Sequence, residues 1–227
     1  MAVQNPNDQD AHLKVRFLKS DGTEQVEGYA IGADTRWTFN ASLPLGVGID
    51  AAVVVKSNRP VIVERMMYFS YGPGWKGGHA VLGASHLSTT WFLPEGSTRE
   101  GFEEYICIAN PGDSQAYVTL SFMLEIGDTV THELSLAPEK RVTVGVNSII
   151  GSGRDVSARV SAPTRSLSLN APCISTTATA GPVGMISWGT CPDSTAKIPS
   201  LSTRSPASTS RNPRTIDPFI HMTVFLL

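Results

Sequence analysis

The sequence is poor in charged residues and in long apolar runs, and each shortage excludes a class of protein. Only 17% of the 227 residues are charged and the formal net charge is -2, whereas a nucleic-acid or anionic-membrane partner would favour a clustered basic face. The longest apolar runs are short, such as Ala51–Val55, whereas a membrane helix needs roughly 20 residues. The sequence therefore predicts no nucleic-acid partner and no membrane span. The first residues lack a basic start and an apolar segment, and so predict no secretion signal in the chain as written.

Cysteine is also scarce. The three cysteines, Cys107, Cys173 and Cys191, are odd in number and lack CxxC spacing, so a zinc site or a disulfide framework is a weak interpretation. The segment Tyr-Ile-Cys-Ile-Ala favours a buried Cys107 thiol that packs as a small apolar group. The P-loop, GxGxxG, HExxH and GxSxG patterns do not occur in the sequence. We therefore predict a protein that is not an enzyme and binds no metal and no cofactor.

An internal repeat organises the chain. The segment that begins at Asn5 recurs at Asn110, which gives an offset of 110 − 5 = 105 residues. Without any gap, the same offset matches Ala11 with Ala116, Phe17 with Phe122, Gly22 with Gly127, Arg36 with Arg141, Thr38 with Thr143, Gly46 with Gly151, Gly48 with Gly153, Asp50 with Asp155 and Val55 with Val160. A match of this length predicts tandem domains, because solenoid units have shorter periods of roughly 20 to 50 residues.

The repeated segments read as strands. Apolar and polar residues alternate in Ala11–Phe17 and Tyr117–Phe122, as in half-buried strands, and glycine and proline punctuate the segments between them. We therefore predict an all-β fold of tandem immunoglobulin-like β-sandwich repeats. Residues 1–83 form repeat 1, residues 84–162 form repeat 2, and residues 163–227 form a disordered or poorly packed tail.

Both repeats are predicted to be incomplete. Repeat 1 has only Met1–Gln4 where repeat 2 has a long segment from Trp91 onwards. We expect repeat 1 to lack its first strand, and therefore to expose an unpaired sheet edge or to recruit a substitute strand. We expect repeat 2 to lack its last strand or strands, because the repeat match ends near residue 162.

Several segments carry a resemblance to a known family: Val-Glu-Arg-Met-Met-Tyr-Phe from Val63, Gly-Trp-Lys-Gly-Gly-His from Gly74, Thr-Trp-Phe-Leu-Pro-Glu-Gly from Thr90 and Gly-Phe-Glu-Glu-Tyr-Ile-Cys-Ile-Ala-Asn-Pro from Gly101. Residues 2–162 resemble an uncharacterised repeat family of large secreted proteins of Gram-positive bacteria, particularly actinobacteria. The resemblance implies a non-catalytic extracellular or cell-surface module whose partners are neighbouring repeats of a parent surface protein. It supplies no catalytic residues.

The tail indicates a break in the reading frame near residue 162. The offset places the partner of residues 64–83 at 169–188, yet in the written frame that stretch matches only once, Ser70 with Ser175. Read one nucleotide upstream, compatible codons spell E-R-P-M-Y-F-D-Y-G-H-G-W-S-G-G-H-D-x-L-G, in register with repeat 1. A frame-shifted segment is not selected to fold, and Ser, Thr, Pro and Arg dominate residues 198–218. The alternative is a diverged tail whose degenerate codons match repeat 1 by coincidence.

One cluster of aromatic residues is a candidate ligand site. Tyr68, Tyr71, Trp75 and His79 lie in and beside a glycine-rich stretch. Exposed aromatic rings can stack on sugars, which would make this loop a site for cell-wall polysaccharide. The alternative interpretation is that Trp75 wedges between the repeats and fixes their angle.

Three further polar groupings can be drawn as functional or structural sites. His79, His86 and Glu95 can be drawn as a metal site, but their spacing fits no helix face and surface polarity explains them as well. Glu103 and Glu104 are neighbours on a strand and point to opposite faces, so they cannot flank one glycosidic bond. Arg36 with Asp50, and Arg141 with Asp155, form either an ion pair in each repeat or a solvated strand face. The favoured hypothesis is a structural or interaction repeat, and the alternative is a carbohydrate- or wall-binding module.

Overall fold

The computed structural model describes residues 1–71, 75–163, 167–175, 184–187 and 220–226. The first part of the chain contains seven strands and a single-turn helix: β1 (Ala2–Asn5), β2 (Ala11–Lys19), β3 (Glu24–Ile31), β4 (Thr35–Thr38), α1 (Ser42–Leu45), β5 (Ala51–Ser57), β6 (Ile62–Tyr71) and β7 (Trp75–Leu82). The rest contains β8 (Thr90–Leu93), β9 (Phe102–Asn110), β10 (Ala116–Leu124), β11 (Thr129–Leu136), β12 (Lys140–Gly145), α2 (Asn147–Ile150), β13 (Val156–Ser161), β14 (Ser168–Ser175), β15 (Gly184–Ser187) and β16 (Ile220–Leu226). These elements confirm the predicted all-β class. Neither helix of the described residues has the length and apolar character needed to cross a membrane.

The strands pair into four antiparallel sheets of four strands each. We call β1–β7 with β16 the first unit, whose sheets have the orders β4-β1-β6-β7 and β16-β5-β2-β3. The second unit comprises β8–β15, with the orders β11-β10-β13-β8 and β12-β9-β14-β15. Each unit is therefore sandwich-like, with two sheets around one hydrophobic core. An immunoglobulin-like topology stays a prediction.

Strand alternation builds both cores. On β2, Leu13, Val15 and Phe17 are buried and belong to the first core. On β10, the residues 105 positions further on, Val118, Leu120 and Phe122, belong to the second core in the same way. The period of two that predicts these strands therefore also selects the inward-facing residues.

A buried asparagine anchors each unit with the same hydrogen bonds. Asn5 and Asn110 are both fully buried. The Asn5 side-chain amide donates to the carbonyl oxygens of Gln9 (2.9 Å), Ile31 (3.1 Å) and Gly32 (2.9 Å). The Asn110 amide donates to those of Ser114 (2.8 Å), Leu136 (3.1 Å) and Ala137 (3.2 Å). Every acceptor is displaced by 105 residues, so the repeat in the sequence corresponds to a repeat in the hydrogen bonding.

The three pairings among β1–β5 recur in the second unit in the same register. They are β2 with β3, β2 with β5 and β1 with β4, which recur as β10 with β11, β10 with β13 and β9 with β12. The pairing of β1 with β6 recurs as that of β9 with β14, but it is displaced by one residue. Val3 pairs with Val63, but Ile108 pairs with Leu169 rather than Ser168. A slip of one residue moves every side chain of a strand to the other face, and it begins where the sequence match to repeat 1 ends.

The region 163–227 is described only in part. Residues 164–166, 176–183, 188–219 and 227 lie outside the described residues, and for them the prediction of a disordered or poorly packed tail stays a prediction. The remainder contains three paired strands. β14 pairs with β9, and β15 pairs with the other edge of β14, in the position where we expected repeat 2 to lack its last strand or strands. β16 pairs with β5, which is the substitute strand that the sequence left as one of two alternatives for repeat 1.

Candidate interface between the two units

The outer faces of one sheet from each unit meet in an apolar contact, which we call the seam. Leu18 of β2 with Ala52 and Val54 of β5 comes from the first unit, and Cys107 with Ala109 of β9 comes from the second. All five residues are buried, with exposed fractions of 0 to 3%. Because the run Ala51–Val55 faces the core on one side and the seam on the other, it is continuously apolar rather than alternating. The predicted burial of Cys107 is confirmed.

Charged groups surround the apolar part of the seam. Arg16 on β2 holds Glu24 of its own unit at 2.8 Å and Glu139 of the second unit at 2.5 Å. Lys140 donates its Nζ to the backbone oxygen of Asp21, 3.0 Å away, at the tip of the β2–β3 hairpin. Polar contacts of the second unit thus reach the first unit from the start of β12 and the turn before it.

Arg141 is the most deeply buried charge of the seam. Only 2% of its side chain is exposed, and its Nη1 lies 3.4 Å from the Asp50 carboxylate of the first unit. Its Nη2 donates to the Cys107 sulfur at 3.6 Å and to the Thr143 hydroxyl. Burial raises the pKa of the Cys107 thiol, while the Arg141 guanidinium acts in the opposite direction. The thiol is therefore a neutral partner of the guanidinium.

The alternative of one ion pair inside each repeat is wrong. Asp50 pairs with Arg141 across the seam, and Asp155 pairs with Arg99. Arg36, which occupies the position of Arg141 in the first unit, is exposed. The offset aligned the residue types correctly, but it carries no information about how one unit faces the other.

The two units differ at the positions that build the seam. The counterparts of Leu18, Ala52 and Val54 in the second unit are Met123, Ser157 and Arg159, none of which is buried. The counterpart of Ala109 in the first unit is the exposed Gln4. Each unit therefore uses a different face, and the contact is head-to-tail rather than two-fold symmetric.

The four predicted ligand residues lie on the β6–β7 hairpin. Tyr71 pairs with Trp75, Met67 with His79, and Tyr68 with Gly78. Since directly opposed residues share a face and successive residues alternate, the register positions of Tyr71, Trp75 and His79 fall on one face and that of Tyr68 on the other. Tyr68 is 83% exposed. Ligand binding by these residues stays a prediction, as does the wedge role of Trp75.

A cleft of about 390 Å³ adjoins Tyr68. Its wall includes the polar side chains of Asn40, Ser42 and Asp50, together with the buried Arg65. Burial lowers the pKa of the Arg65 guanidinium to about 10. Because the seam residue Asp50 also lines this cleft, the cleft opens next to the contact between the units.

Glu104 has the most perturbed carboxyl pKa among the described residues. The sequence offers it only as half of a catalytic carboxylate pair with Glu103, which the strand geometry excludes. Burial raises its pKa to about 8, although a hydrogen bond from the Ser97 backbone acts in the opposite direction. It is 3% exposed and lies under Gly96, where an added Cβ would come within 2.2 Å of its Oε2. Glu103 instead accepts a hydrogen bond from the Tyr105 hydroxyl at 2.7 Å. The covered position of Glu104 suits a packed, protonated acid better than a catalytic one.

The described residues include no group of three His, Cys, Asp or Glu side chains able to hold a metal ion. His86, one of the three residues of the rejected metal site, stacks on Trp91 with ring centroids 5.8 Å apart. Its Nδ1 lies 3.3 Å from the Ser85 hydroxyl. His86 thus covers the indole at the start of the second unit.

Comparisons with known proteins find weak structural similarities. No family model matches the sequence, and no curated protein matches it. The Anabaena sensory rhodopsin transducer is 20% identical, with a TM-score of 0.35, and the match covers 39% of this chain and 84% of the other. The Thermotoga maritima protein 1070 is 20% identical, with a TM-score of 0.40, and the match covers 44% of this chain and 93% of the other. At these TM-scores neither similarity says anything about function.

Proposed function

We propose that this chain is a non-catalytic structural repeat of a bacterial surface protein, in which the two units act as a spacer that extends or displays other domains. The seam carries the proposal. Domains in one chain move relative to one another unless their interface is substantial and apolar. Here the apolar contact around Leu18 and Val54 is reinforced by the buried Arg141 and by Arg16. The resemblance of residues 2–162 to secreted Gram-positive repeats supports the surface location.

The head-to-tail contact also supports a spacer. A heterologous interface leaves one copy of each contacting face unused, and further units can therefore be added in the same direction. On the second unit, the face that corresponds to the seam face of the first carries three large exposed side chains: Phe92 (39%), Tyr117 (65%) and Met123 (38%). This face suits contact with a neighbouring repeat of a parent protein.

A distance measurement between the units tests the proposal. Spin labels on Thr35→Cys and Thr131→Cys, in a chain with Cys173→Ser and Cys191→Ser, report one distance across the seam. We expect a single narrow distribution that Leu18→Asp broadens, because a carboxylate in the seam is desolvated without a partner. Met123→Asp, at the matched exposed position, is the control and should leave the distribution narrow. A broad distribution in the chain without Leu18→Asp would contradict a spacer of fixed geometry.

The second candidate function is a carbohydrate- or wall-binding module, which the exposure of Tyr68 favours. Its ring is 83% exposed and adjoins a cleft with polar walls, a combination that suits stacking on a sugar. Calorimetric titration with peptidoglycan fragments and polysaccharides tests it. Saturable binding that Tyr68→Ala or Trp75→Ala abolishes would support the module. The control is Tyr117→Ala, which removes another exposed tyrosine, and binding lost equally in this variant would count against the site.

A further inference from the structure

The outer edge of β5 is closed by a strand from the far end of the chain. Within the first unit, β16 pairs antiparallel with β5 from Ile220 opposite Ser57 to Leu226 opposite Ala51. On its other side, β5 pairs with β2. Both hydrogen-bonding edges of β5 are therefore occupied, one by a near neighbour in sequence and one by a segment more than a hundred residues away.

The second unit has a strand of its own in the equivalent place. There β8 pairs with β13, the counterpart of β5, with Trp91 opposite Val160 and Leu93 opposite Ala158. The counterparts of Val160 and Ala158 in the first unit, 105 positions earlier, are Val55 and Val53. These two residues pair with Met222 and Val224. β16 thus takes the position of β8 in the same direction and in the same register.

The residue pattern of β16 also matches that of β8. Trp91 and Leu93 are buried in the second core, while Phe92 between them is 39% exposed. At the corresponding positions β16 carries Met222 and Val224, with the polar Thr223 between them. Because a strand added at a sheet edge gains affinity from main-chain hydrogen bonds and selectivity from alternate side chains, pattern and register together indicate a specific fit.

The acceptor strand is suited to such a partner. Val53 and Val55 are fully buried members of the first core, and they stand directly opposite Val224 and Met222. Removing the added strand would leave a row of β5 backbone groups unpaired beside both buried valines. An apolar, unpaired sheet edge of this kind is a template for another strand.

We propose that the outer edge of β5 is a strand-acceptor site for an extended segment with apolar residues at alternate positions, and that Ile220–Leu226 is the segment of this chain that fills it. The site selects its partner by the residues opposite Val53 and Val55. The first unit is then completed by a non-adjacent segment, whereas the second unit is completed by β8, its immediate neighbour in sequence.

Hydrogen exchange on the full chain tests the proposal. In the Met222→Asp, Val224→Asp double variant, we expect the amides of β5 that face β16 to exchange at least about tenfold faster, because local opening becomes easier. The Met222→Leu, Val224→Ile variant keeps the apolar pattern and should leave these rates unchanged. Amides in the β2–β3 hairpin and in β10 report that the first and second units, respectively, are folded. Unchanged β5 exchange in the double aspartate variant would overturn the proposal.

Adding the strand as a free peptide distinguishes an acceptor site on β5 from a general loss of stability in the double aspartate variant. A free peptide with the sequence of residues 219–227 should restore β5 protection in the double aspartate variant in a saturable manner, and a peptide carrying the same two aspartates should not. A folded variant that the unaltered peptide fails to protect would contradict an acceptor site. If the double variant unfolds the first unit, Val224→Ala replaces it, with a smaller but measurable rise in β5 exchange expected and with the same peptide tests.

Discussion

The two units share their interior and differ on their surface. Asn5 and Asn110 make the same three hydrogen bonds, and Asp34 and Glu139 adopt the same positive φ of 50° and 55°. On the outer sheet face, by contrast, the buried Leu18 of the first unit corresponds to the partly exposed Met123 of the second. The two units therefore share one fold, while the residues on their outer sheet faces differ. The interior residues specify the sandwich, and a few outer residues specify how the units join.

The largest expected effect tests whether the interiors are equivalent. Asn5→Ala and Asn110→Ala each remove a buried amide that serves three carbonyl oxygens. We expect each to lower the free energy of unfolding by about 2 to 4 kcal/mol, because buried acceptors lose their donors. Urea denaturation measures the effect, and the exposed Asn40→Ala serves as a control. A large loss in one variant and a negligible loss in the other would show that the units are not equivalent inside.

A second pair of substitutions tests the difference in surface. Leu18→Ala should lower the free energy of unfolding by about 2 to 4 kcal/mol because it opens a cavity in the fully buried seam. Met123→Ala, at the matched position of the second unit, should lower the free energy of unfolding by less than about 1 kcal/mol because Met123 is partly exposed. Both values follow from urea denaturation of otherwise identical chains. Equal costs at the two positions would mean that the seam does not distinguish the units.

The pH dependence of stability isolates a feature of the second unit. Glu104 lies on β9 of the second unit, where it is 3% exposed and lies under Gly96. Its pKa is about 8 in the folded chain against an ordinary value of 4.5. The folded chain therefore keeps a proton that the unfolded chain releases between these pH values, and stability falls as the pH rises from about 4.5 to 8.

Glu104→Gln should remove this fall. We expect the variant to lose less stability than the unaltered chain between pH 5.5 and 8.5, by about 1 to 3 kcal/mol. Urea denaturation at several pH values measures the slope. The control is Glu103→Gln at the half-buried neighbouring position. Parallel pH profiles for the Glu104→Gln variant and the unaltered chain would contradict a buried, protonated Glu104.

The smallest expected effect compares two hairpin tips. Gly22 and Gly127 both have positive φ, 85° and 89°, and an alanine at either should cost about 1 kcal/mol through backbone strain. Only at Gly22 would the new Cβ also meet Lys140, 1.4 Å from its Nζ. Because that side chain is flexible, Gly22→Ala should cost only a few tenths of a kcal/mol more, from the weakened contact with Asp21. Thermal denaturation of both variants resolves the order, and a larger cost at Gly127 would contradict this account.

Much of the fold could be predicted from the sequence because strands are local. The alternation in Ala11–Phe17 and the glycine at position 22 determine a strand and a turn from neighbouring residues alone, and the offset of 105 transfers both to the second unit. Cys107 was predicted to be buried for the same reason, since it lies within an apolar strand.

The seam and the added strand could not be predicted from such local signals. Leu18 follows Phe17 and breaks the alternation of β2, which indicates burial on both faces but not the partner. The pairing of Asp50 with Arg141 depends on the orientation of the units. The alternation of His221, Met222, Thr223 and Val224 is a strand signal. The partner of this segment, β5, lies far away in sequence, and no local rule connects the two.

The central claim is that the seam makes the two units one mechanical body, and hydrogen exchange across the seam tests it most directly. In the Leu18→Ala variant, the altered residue lies in the first unit, while Cys107 and Ala109 contact it from β9 of the second. The account predicts faster exchange of the amides of β9 and β12 as well as those of β2 and β5. Faster exchange confined to β2 and β5, with β9 and β12 unchanged, would show that the units fold side by side without supporting one another.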